Sequence, residues 1–352
     1  MAAASYEVVH ADPRTGRVRA VLPAASISYT DTLNADGAAT VVMPLYAPEA
    51  DPVTLSPISS ALVILRNGEP VWGGLVWTLS ADLSAQTLTL NASGWHSYYK
   101  CRAFTTGYNG KGDQGTLLRA WIDACAENGI GTDTSYITTS GRIRSRTWTR
   151  SEFKVVAEAI QELAEEDGGF NFRYATYWAE PGKRFGNRFL KYTSGENPLP
   201  FSLVHGTNCN VTKVDYDGSQ LATDAYTVGA DPGNGDNLVG IVANDDLRED
   251  MPTKRVVVSF NDVKETQTLT DKASALITIG RAPVAIPSLT LYPGLYDPTS
   301  FVPGYAGVVE ADAGYVALYA DFVVTERKVD VNANGVEVTT LSLANREVFS
   351  FG

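Results

Sequence analysis

A glycine-rich segment is the first place where this sequence could do chemistry. Residues 110–115 read GKGDQG, the Gly-x-Gly-x-x-Gly spacing of a dinucleotide-binding loop, and Asp133 follows about 20 residues later. That loop binds a pyrophosphate only where it leaves a parallel strand and opens a helix. Because an antiparallel pattern precedes it here, we interpret the segment as a flexible junction between domains. A P-loop is excluded, since Thr105 replaces its first glycine and Gly112 its Ser or Thr.

Two acidic loops match part of a calcium-binding motif. Residues 330–335 read DVNANG, and the loop 231–236 has a similar acidic and glycine-rich composition. A calcium loop also needs a bidentate carboxylate at its twelfth position, where these segments carry Leu341 and Val242. Valines alternate on both sides of 330–335 and predict a hairpin that turns at its Asn-Gly dipeptide. We predict no metal site, with adventitious cation binding as the lesser alternative.

The histidines and cysteines form no recognisable catalytic or metal centre. His205 and Cys209 have the i, i+4 spacing of helical zinc ligands, but a glycine and an asparagine between them disfavour a helix, and no further pair completes the site. The sequence contains neither His-Glu-x-x-His nor Gly-x-Ser-x-Gly. Cys101 could meet His96 or His205 in space, which leaves nucleophilic catalysis as a minor alternative. We therefore predict no catalytic, cofactor-binding or metal-binding residues and no enzymatic activity.

Acidic and aromatic side chains are the remaining candidates, since carboxylates can cleave a glycosidic bond and aromatic rings can stack on a sugar. A glycosidase needs only two carboxylates, but the glutamates here lie on the polar side of a predicted helix, where a solvated surface is the usual explanation. The aromatic residues lie at strand ends, where they more often close a core or form a protein interface than stack on a sugar. The glutamates are Glu158, Glu162, Glu165 and Glu166, and the aromatic residues are Trp95, Tyr98, Tyr99, Tyr177 and Trp178.

The composition describes an acidic folded protein. Of 352 residues, 44% are hydrophobic and 19% are charged, so disorder is not expected, and the length predicts two or three modules. Forty acidic and 28 basic residues give a net charge of −12. This charge argues against specific nucleic-acid binding, because phosphate contact requires clustered Lys and Arg.

The cysteines and the N-terminus indicate where the protein is made. Three cysteines without a paired pattern predict free thiols in a reducing cytosol. The first residues, MAAASYEVVH, lack the basic and apolar regions of a signal peptide, and no run of 18 apolar residues occurs. We therefore expect neither export nor membrane insertion.

The first 100 residues show the two-residue alternation of β-strands. From Leu62 to Trp95, apolar residues alternate on both sides of Asn67-Gly68, a dipeptide typical of a two-residue hairpin turn. Gly73-Gly74 in the second strand predicts a bulge or a sharp bend that lets the sheet curl. Residues 1–100 are therefore predicted to form a β-barrel module. Four earlier strands are predicted at Tyr6–Val9, Val18–Leu22, Ala25–Thr30 and Ala38–Met43.

Residues 101–200 are predicted to form an inserted α/β module. Apolar residues at helical spacing predict one helix from Thr116 to about Asn128. Thr149 and Glu152 form a capping box for a second helix, with Phe153 at the start of its apolar stripe. The strands predicted after it lie at 170–174 and 189–192.

Residues 201–352 are predicted to form a C-terminal β-rich module with one helix at about 266–280. Asp217-Gly218 has the composition of a hairpin turn between two β runs. The segment Pro283–Tyr305 carries five prolines, too many for a central strand, and is predicted to be a long surface excursion.

Two quoted stretches carry a resemblance to a known family. The sequence ILRNGEPVWGG, then an alternating strand and ASGWHSYYKCR, resembles the start of minor tail proteins of long-tailed actinobacterial phages, in the baseplate-hub or tail-associated group. The resemblance is a pattern of turns and aromatic residues. It covers the first 100 residues best and continues more loosely through residues 150–172.

The resemblance implies an architecture and a role. Family members combine two tube-like antiparallel β-barrel modules with α/β domains, which implies a mainly β fold with an α+β insertion. They form trimeric hub rings below the tail tube, around the path of DNA exit. We therefore expect a structural protein of the virion tail tip, made in the host cytoplasm, with itself and other tail proteins as partners. The alternative is a receptor- or carbohydrate-binding tail protein that uses Tyr292 and Tyr296 in the loop 283–305.

Overall fold

The chain is mainly β, with large antiparallel sheets and a few helices, which confirms the predicted fold class. The computed structural model describes residues 4–165, 169–193, 196–233, 235–260, 263, 265–281 and 283–346. Two compact units are present, one built mainly from Met1–Thr212 and Ser288–Leu343 and the other mainly from Lys213–Pro287. The division into modules 1–100, 101–200 and 201–352 stays a prediction, as does the closure of two tube-like barrels.

The first unit is organised by one extended sheet. In the part of the chain that the structure describes, its strands follow the order β2-β1-β5-β6-β7-β4-β3-β19-β20-β17-β13, with β18 paired to β19 and β12 paired to β18. The strands are β1 Tyr6–Ala11, β2 Val18–Leu22, β3 Ser26–Thr32, β4 Ala38–Pro44, β5 Ala61–Arg66, β6 Glu69–Asp82, β7 Thr87–Gly94, β12 Leu203–Val204, β13 Cys209–Asp217, β17 Val284–Leu291, β18 Ala306–Ala313, β19 Val316–Val331 and β20 Glu337–Asn345.

Strand β5 belongs to two cores at once, which explains its continuous apolar sequence. Leu62 and Ile64 enter a core shared with β3, β4 and β7, while Val63 and Leu65 enter a second core shared with the helices. All four side chains are buried. A strand covered on both faces has no need of polar alternation.

The predicted hairpin at Asn67-Gly68 is confirmed, but the bulges lie elsewhere than predicted. Both turn residues have positive φ, 53° and 82°, as the mirror-image turn requires. The register shifts place the extra residues at Val71 and Trp77, not at Gly73-Gly74. Gly74 instead permits close packing, because a Cβ there would lie 2.2 Å from the carbonyl oxygen of Ser93.

Helices and two short β-ribbons form the rest of the first unit. Helix α2 begins at Gln114, two residues before the predicted start, because Asp113 caps it through the backbone N–H of Gly115. The capping box of Thr149 and Glu152 is present but closes only a 3₁₀ turn, Arg150–Glu152. The elements are α1 His96–Tyr99, β8 Tyr108–Asp113, α2 Gln114–Asp123, β9 Ile143–Trp148, α3 Val156–Glu165, β10 Asn171–Glu180 and β11 Arg184–Tyr192.

Phe153 does not belong to the helix stripe as predicted. Its backbone is left-handed, with φ 43°, and its side chain is 56% exposed. The chain therefore breaks between the 3₁₀ turn and α3, which begins at Val156. The strands predicted at 170–174 and 189–192 are present within β10 and β11, which pair with Phe172 opposite Lys191.

The second unit is a three-stranded sheet with two helices. Its strand order is β15-β14-β16, antiparallel on one side of β14 and parallel on the other. The predicted hairpin at Asp217-Gly218 is therefore wrong, since β14 pairs with β15 and β16 and β13 lies beside β17. The helix predicted at about 266–280 is α5. The elements are β14 Asp224–Val228, β15 Val239–Ala243, α4 Asp245–Asp250, β16 Arg255–Ser259 and α5 Thr266–Ile279.

The proline-rich segment contains a strand, against the prediction of a surface excursion. β17 lies between β13 and β20, and its registered pairs run from Ser288 to Thr290. Pro287 precedes these pairs, so its missing N–H does not interrupt them. The predicted hairpin at Asn334-Gly335 is confirmed, since the backbone N–H of Asn332 donates to the Val336 carbonyl at 3.1 Å.

Candidate functional site

Short uncharged polar side chains cover the outward side of the extended sheet. Alternate residues of β3, β4 and β7, such as Tyr29, Val41 and Leu90, are buried, so their neighbours point away from the core. The same pattern continues on β17 and β20, where Ser288 and Ser342 lie opposite each other. We call the hydroxyl and amide side chains among these outward positions the hydroxyl face: Ser26, Ser28, Thr30, Thr40, Thr78, Ser80, Thr87, Thr89, Asn91, Ser288, Thr290, Thr340 and Ser342.

Side chains of the hydroxyl face bind one another across the strands. The register places Ser28, Thr40, Asn91 and Thr78 in one row. The Thr40 hydroxyl donates to Oδ1 of Asn91 at 3.1 Å, and Nδ2 of Asn91 donates to the Thr78 hydroxyl at 3.2 Å. Polar groups already satisfied by lateral hydrogen bonds gain little from an additional ligand.

The hydroxyl face offers no free positive charge to a phosphate. Strands β3, β4, β6 and β7 contain neither lysine nor arginine. On the adjoining β19, Lys328 lies 3.0 Å from the carboxylate of Asp330. Nucleic-acid affinity comes mainly from Lys and Arg neutralising phosphates. A phosphate would therefore find no unpaired cationic side chain among the described residues of this face.

A large cleft lies elsewhere on the first unit, where two turns meet. The backbone N–H of Val18 donates to the Lys183 carbonyl, and that of Phe185 to the Gly16 carbonyl, both at 2.9 Å. Gly16 has φ 71°, and a Cβ there would lie 2.0 Å from the Phe185 oxygen. Only glycine permits this approach. The β1–β2 turn is thus joined to the β10–β11 turn beside a cavity of about 1060 Å³.

The cleft has an apolar floor and a basic rim, and we call it the basic cleft. Its acidic neighbours are already bonded: Asp12 to Arg19 at 2.5 Å and Glu180 to Lys183 at 2.9 Å. Burial alone would raise the pKa of Asp12, but hydrogen bonds from Thr15 and Arg19 outweigh it and lower this pKa to about 2. The floor contains Val63, Trp95, Ile130 and Phe185, and the rim contains Arg14, Arg17, Lys183 and Arg184.

Three rim arginines carry charge that no carboxylate neutralises within 4.0 Å among the described residues. Among the described residues, the guanidinium group of Arg14 donates only to the side-chain oxygen of Asn128, at 2.8 Å. Arg17 and Arg184 lie opposite each other in an antiparallel bridge. Like charges in that relation repel. On a chain with net charge −12, the basic cleft is therefore a local site for an anionic group.

Buried ionic groups hold the C-terminal strands against the N-terminal ones. Nε and Nη2 of Arg66 donate to the two carboxylate oxygens of Glu337 at 2.8 and 3.1 Å, and Tyr6 donates its hydroxyl to the same group. Arg327 is 5% exposed and pairs with Asp31. Burial raises the pKa of the Tyr6 hydroxyl, so it remains a proton donor. These contacts join β20 to β1 and β5, and β19 to β3, within the sheet that carries the hydroxyl face.

The aromatic residues proposed for sugar stacking are engaged in packing. Trp95 and Tyr99 are buried, and Nε1 of Trp95 donates to the Thr176 hydroxyl at 2.8 Å. The ring of Trp178 stacks on Phe185 with centroids 4.0 Å apart, and Arg188 lies 3.7 Å above the Tyr177 ring. In the loop 283–305, Tyr296 stacks on Phe201 at 3.9 Å.

The histidines and cysteines named from the sequence lie in separate environments. His96 is buried, and the loss of hydration lowers its pKa to about 4. His205 accepts the backbone N–H of Val211 at 3.0 Å, and no described hydrogen bond joins Cys101 to either histidine. Burial raises the pKa of Cys209 to about 11. Within the described ranges, no group of three or more His, Cys, Asp or Glu side chains is arranged to hold a metal.

The glycine-rich and glutamate candidates have structural partners. Strand β8 pairs antiparallel with β9, so residues 110–115 do not leave a parallel strand. The Asp113 carboxylate accepts hydrogen bonds from the backbone N–H groups of Gly115 and Gly141. Asp113 thus occupies the place at the start of α2 where a phosphate would bind. Lys154 binds Glu158 at 3.1 Å and Glu162 at 2.6 Å. Glu165 accepts from Gln161, and Glu166 lies outside the described residues.

Comparison of the structure with solved structures finds the same fold over nearly the whole chain. The 43 kDa tail protein of prophage MuSo2 from Shewanella oneidensis is similar at a TM-score of 0.65 and 12% identity, over 98% of this chain and 100% of that one. A tail protein from Neisseria meningitidis MC58 gives 0.61 and 12%, over 98% of each chain. The chain has the fold of phage tail proteins.

A secretion-system protein shares this tail-protein fold. The E. coli protein c3393, a component of the type VI secretion system with structural similarity to the T4 tail proteins gp27 and gp5, gives a TM-score of 0.51 at 10% identity, over 92% of this chain and 74% of that one. No protein-family model and no curated protein matches the sequence. Among the described residues, no helix is both long and apolar enough to cross a membrane.

Proposed function

We propose that this chain is a structural protein of the phage tail tip, a subunit of a hub ring that links the tail tube to distal tip proteins and surrounds the DNA exit path. The observation that carries the proposal is the tail-protein fold, shared over 98% of this chain and 100% of the Shewanella prophage protein. The fold likeness to c3393, itself similar to gp27 and gp5, supports the hub position. The expected state is a homotrimer, and the role is not enzymatic.

The hydroxyl face supplies the physical basis for a DNA conduit. A wall that binds phosphate would retain the genome, whereas this face has its charged pair neutralised and its central row of Thr40, Asn91 and Thr78 bonded laterally. We therefore propose that the hydroxyl face lines the channel. An actinobacterial long-tailed phage as the source remains a prediction from the sequence resemblance.

The location is tested with gold-labelled antibodies on intact particles, for which label at the tail tip is the expected result. Label on the capsid or along the tail tube would contradict the proposal. The ring is tested by light scattering of the purified chain across a concentration series. The expected mass is three times the 37.8 kDa of one chain.

The proposal that the hydroxyl face lines the channel is tested by introducing positive charge on that face. Thr40→Arg/Thr78→Arg should produce salt-dependent binding of duplex DNA where the wild type shows none, because each phosphate contact releases counterions. Thr116→Arg/Ser135→Arg adds the same charge at exposed positions outside the face. Fluorescence anisotropy at about 50 and 200 mM salt measures the difference. Equal DNA binding by both double variants would contradict the assignment of the hydroxyl face as the channel wall.

A further inference from the structure

We propose that the basic cleft of one copy binds the tip of the β18–β19 hairpin of the next copy, so that the ring closes head to tail. This inference rests on the proposed hub ring. It concerns the contact that holds neighbouring subunits together, for which the cleft and the hairpin supply opposite charges. Both surfaces belong to the first compact unit.

The hairpin tip combines acidic and aromatic side chains. Strands β18 and β19 pair as far as Ala313 and Val316, and residues 306–321 contain no lysine or arginine. Glu310 lies opposite Tyr319 in the register, and both side chains are exposed. Tyr319 is 76% exposed, a large apolar area left in contact with water. An exposed ring beside carboxylates is typical of a protein interface.

The basic cleft carries the positive charge that the hairpin tip lacks. The repulsion between Arg17 and Arg184 is relieved when a carboxylate from outside approaches both guanidinium groups. The buried floor of Val63, Trp95 and Phe185 provides apolar contact for a tyrosine ring. A cavity of about 1060 Å³ is also large enough to admit a hairpin tip.

A second copy of the chain is the occupant that the charges favour. No residue of β18 or β19 lines the cleft within the described chain, so the hairpin does not fill the cleft of its own subunit. Two copies that each carry a net charge of −12 repel unless opposite charges meet locally. A contact between two different patches generates a closed ring when its rotation closes, as a hub requires.

The test uses two variants of the full chain that each remove one side of the contact. Arg17→Glu/Arg184→Glu alters the cleft, and Glu310→Ser/Asp312→Ser/Tyr319→Ser alters the hairpin. Each variant should associate at least about tenfold more weakly than the wild type in sedimentation or light scattering, because charge complementarity and the aromatic contact are lost. Lys111→Glu/Arg142→Glu makes the same charge change at exposed positions away from the cleft and should associate normally.

An equal mixture of the two variants gives the deciding result. The intact cleft of the hairpin variant can still bind the intact hairpin of the cleft variant, so the mixture should form a dimer of twice 37.8 kDa and stop there. Such rescue requires both variants to be folded. Trimers formed by either variant alone would overturn the inference while leaving the hub ring in place. A wild type that is monomeric at every concentration would also overturn it, and the tail-tip location would then be decided by antibody labelling alone.

Discussion

The hydroxyl face lies on the extended sheet, whereas the basic cleft lies where the β1–β2 turn of that sheet meets the β10–β11 turn, and charged side chains are arranged differently in the two places. On the face, Thr40, Asn91 and Thr78 satisfy one another and Lys328 is paired with Asp330. In the cleft, by contrast, main-chain hydrogen bonds hold Arg17 against Arg184 without a carboxylate within 4.0 Å among the described residues. A satisfied surface lets a polyanion pass, whereas an unsatisfied one binds an anion.

Charged side chains also differ between the two sides of the extended sheet itself. Strand β19 illustrates this, since consecutive residues point to opposite sides. Arg327 is buried and pairs with Asp31, while Lys328 is exposed and pairs with Asp330. The inward pair stabilises the sheet on which both surfaces depend, and the outward pair only keeps the face neutral.

The largest effect is expected from the inward pair. Arg327→Met should lower the free energy of unfolding by about 3–5 kcal/mol, because it leaves the Asp31 carboxylate without its partner and frees the Pro298 carbonyl that Arg327 binds at 3.0 Å. Lys328→Met is the matched control one residue away and should cost at most about 1 kcal/mol, since its ion pair is exposed. Urea denaturation measures both. Equal losses would show that β19 does not separate a structural side from a functional side.

A smaller effect is expected from His96, which follows Trp95 in the chain and packs against Phe172. Burial lowers its pKa to about 4, so the unfolded chain, with an ordinary value of 6.5, binds a proton first as the pH falls. The resulting stability is complete above pH 6.5 and decreases as the pH falls towards 4, by about 3 kcal/mol in all.

The variant His96→Phe separates this histidine from other titrating groups. The phenyl ring can replace the imidazole against Phe172, whose centroid lies 5.1 Å away, but cannot take up a proton. Its unfolding free energy should therefore decrease less between pH 7 and 4.5 than that of the wild type. His10 retains its own contribution in both proteins, since burial and then Arg19 lower its pKa to about 4 as well. Identical pH curves would show that His96 is hydrated.

Local signals in the sequence were sufficient for much of the fold but not for long-range pairing. The hairpins at Asn67-Gly68 and Asn334-Gly335 were predictable, because an Asn-Gly dipeptide favours a tight turn, with positive φ at both Asn67 and Gly68 and at Gly335 in the second turn. Asp217-Gly218 has a similar composition, but β14 pairs instead with β15 and β16. Likewise, the prolines of 283–305 concealed β17, since a proline outside the registered pairs does not break a strand.

The two candidate surfaces differ in how far the sequence reveals them. The alternating Ser and Thr residues of 26–30 and 87–91 are a local signal for the hydroxyl face, although only the strand order shows that they form one surface. The basic cleft has no local signal. Arg17 and Arg184 lie far apart in the chain, and their approach depends on the backbone contact of Gly16 with Phe185.

The smallest effect is expected within the hydroxyl face and sharpens its comparison with the cleft. Asn91→Ala removes the hydrogen bonds to Thr40 and Thr78 and should cost about 0.5–1.5 kcal/mol in thermal or urea unfolding. Thr89→Ala, two residues away on the same side of β7, has no side-chain hydrogen bond among those described and should cost about half a kcal/mol or less. If the two substitutions cost the same, the row of side chains is bound to water rather than to itself. The face would then have free hydrogen-bonding groups, and it would resemble the cleft in being open to a ligand.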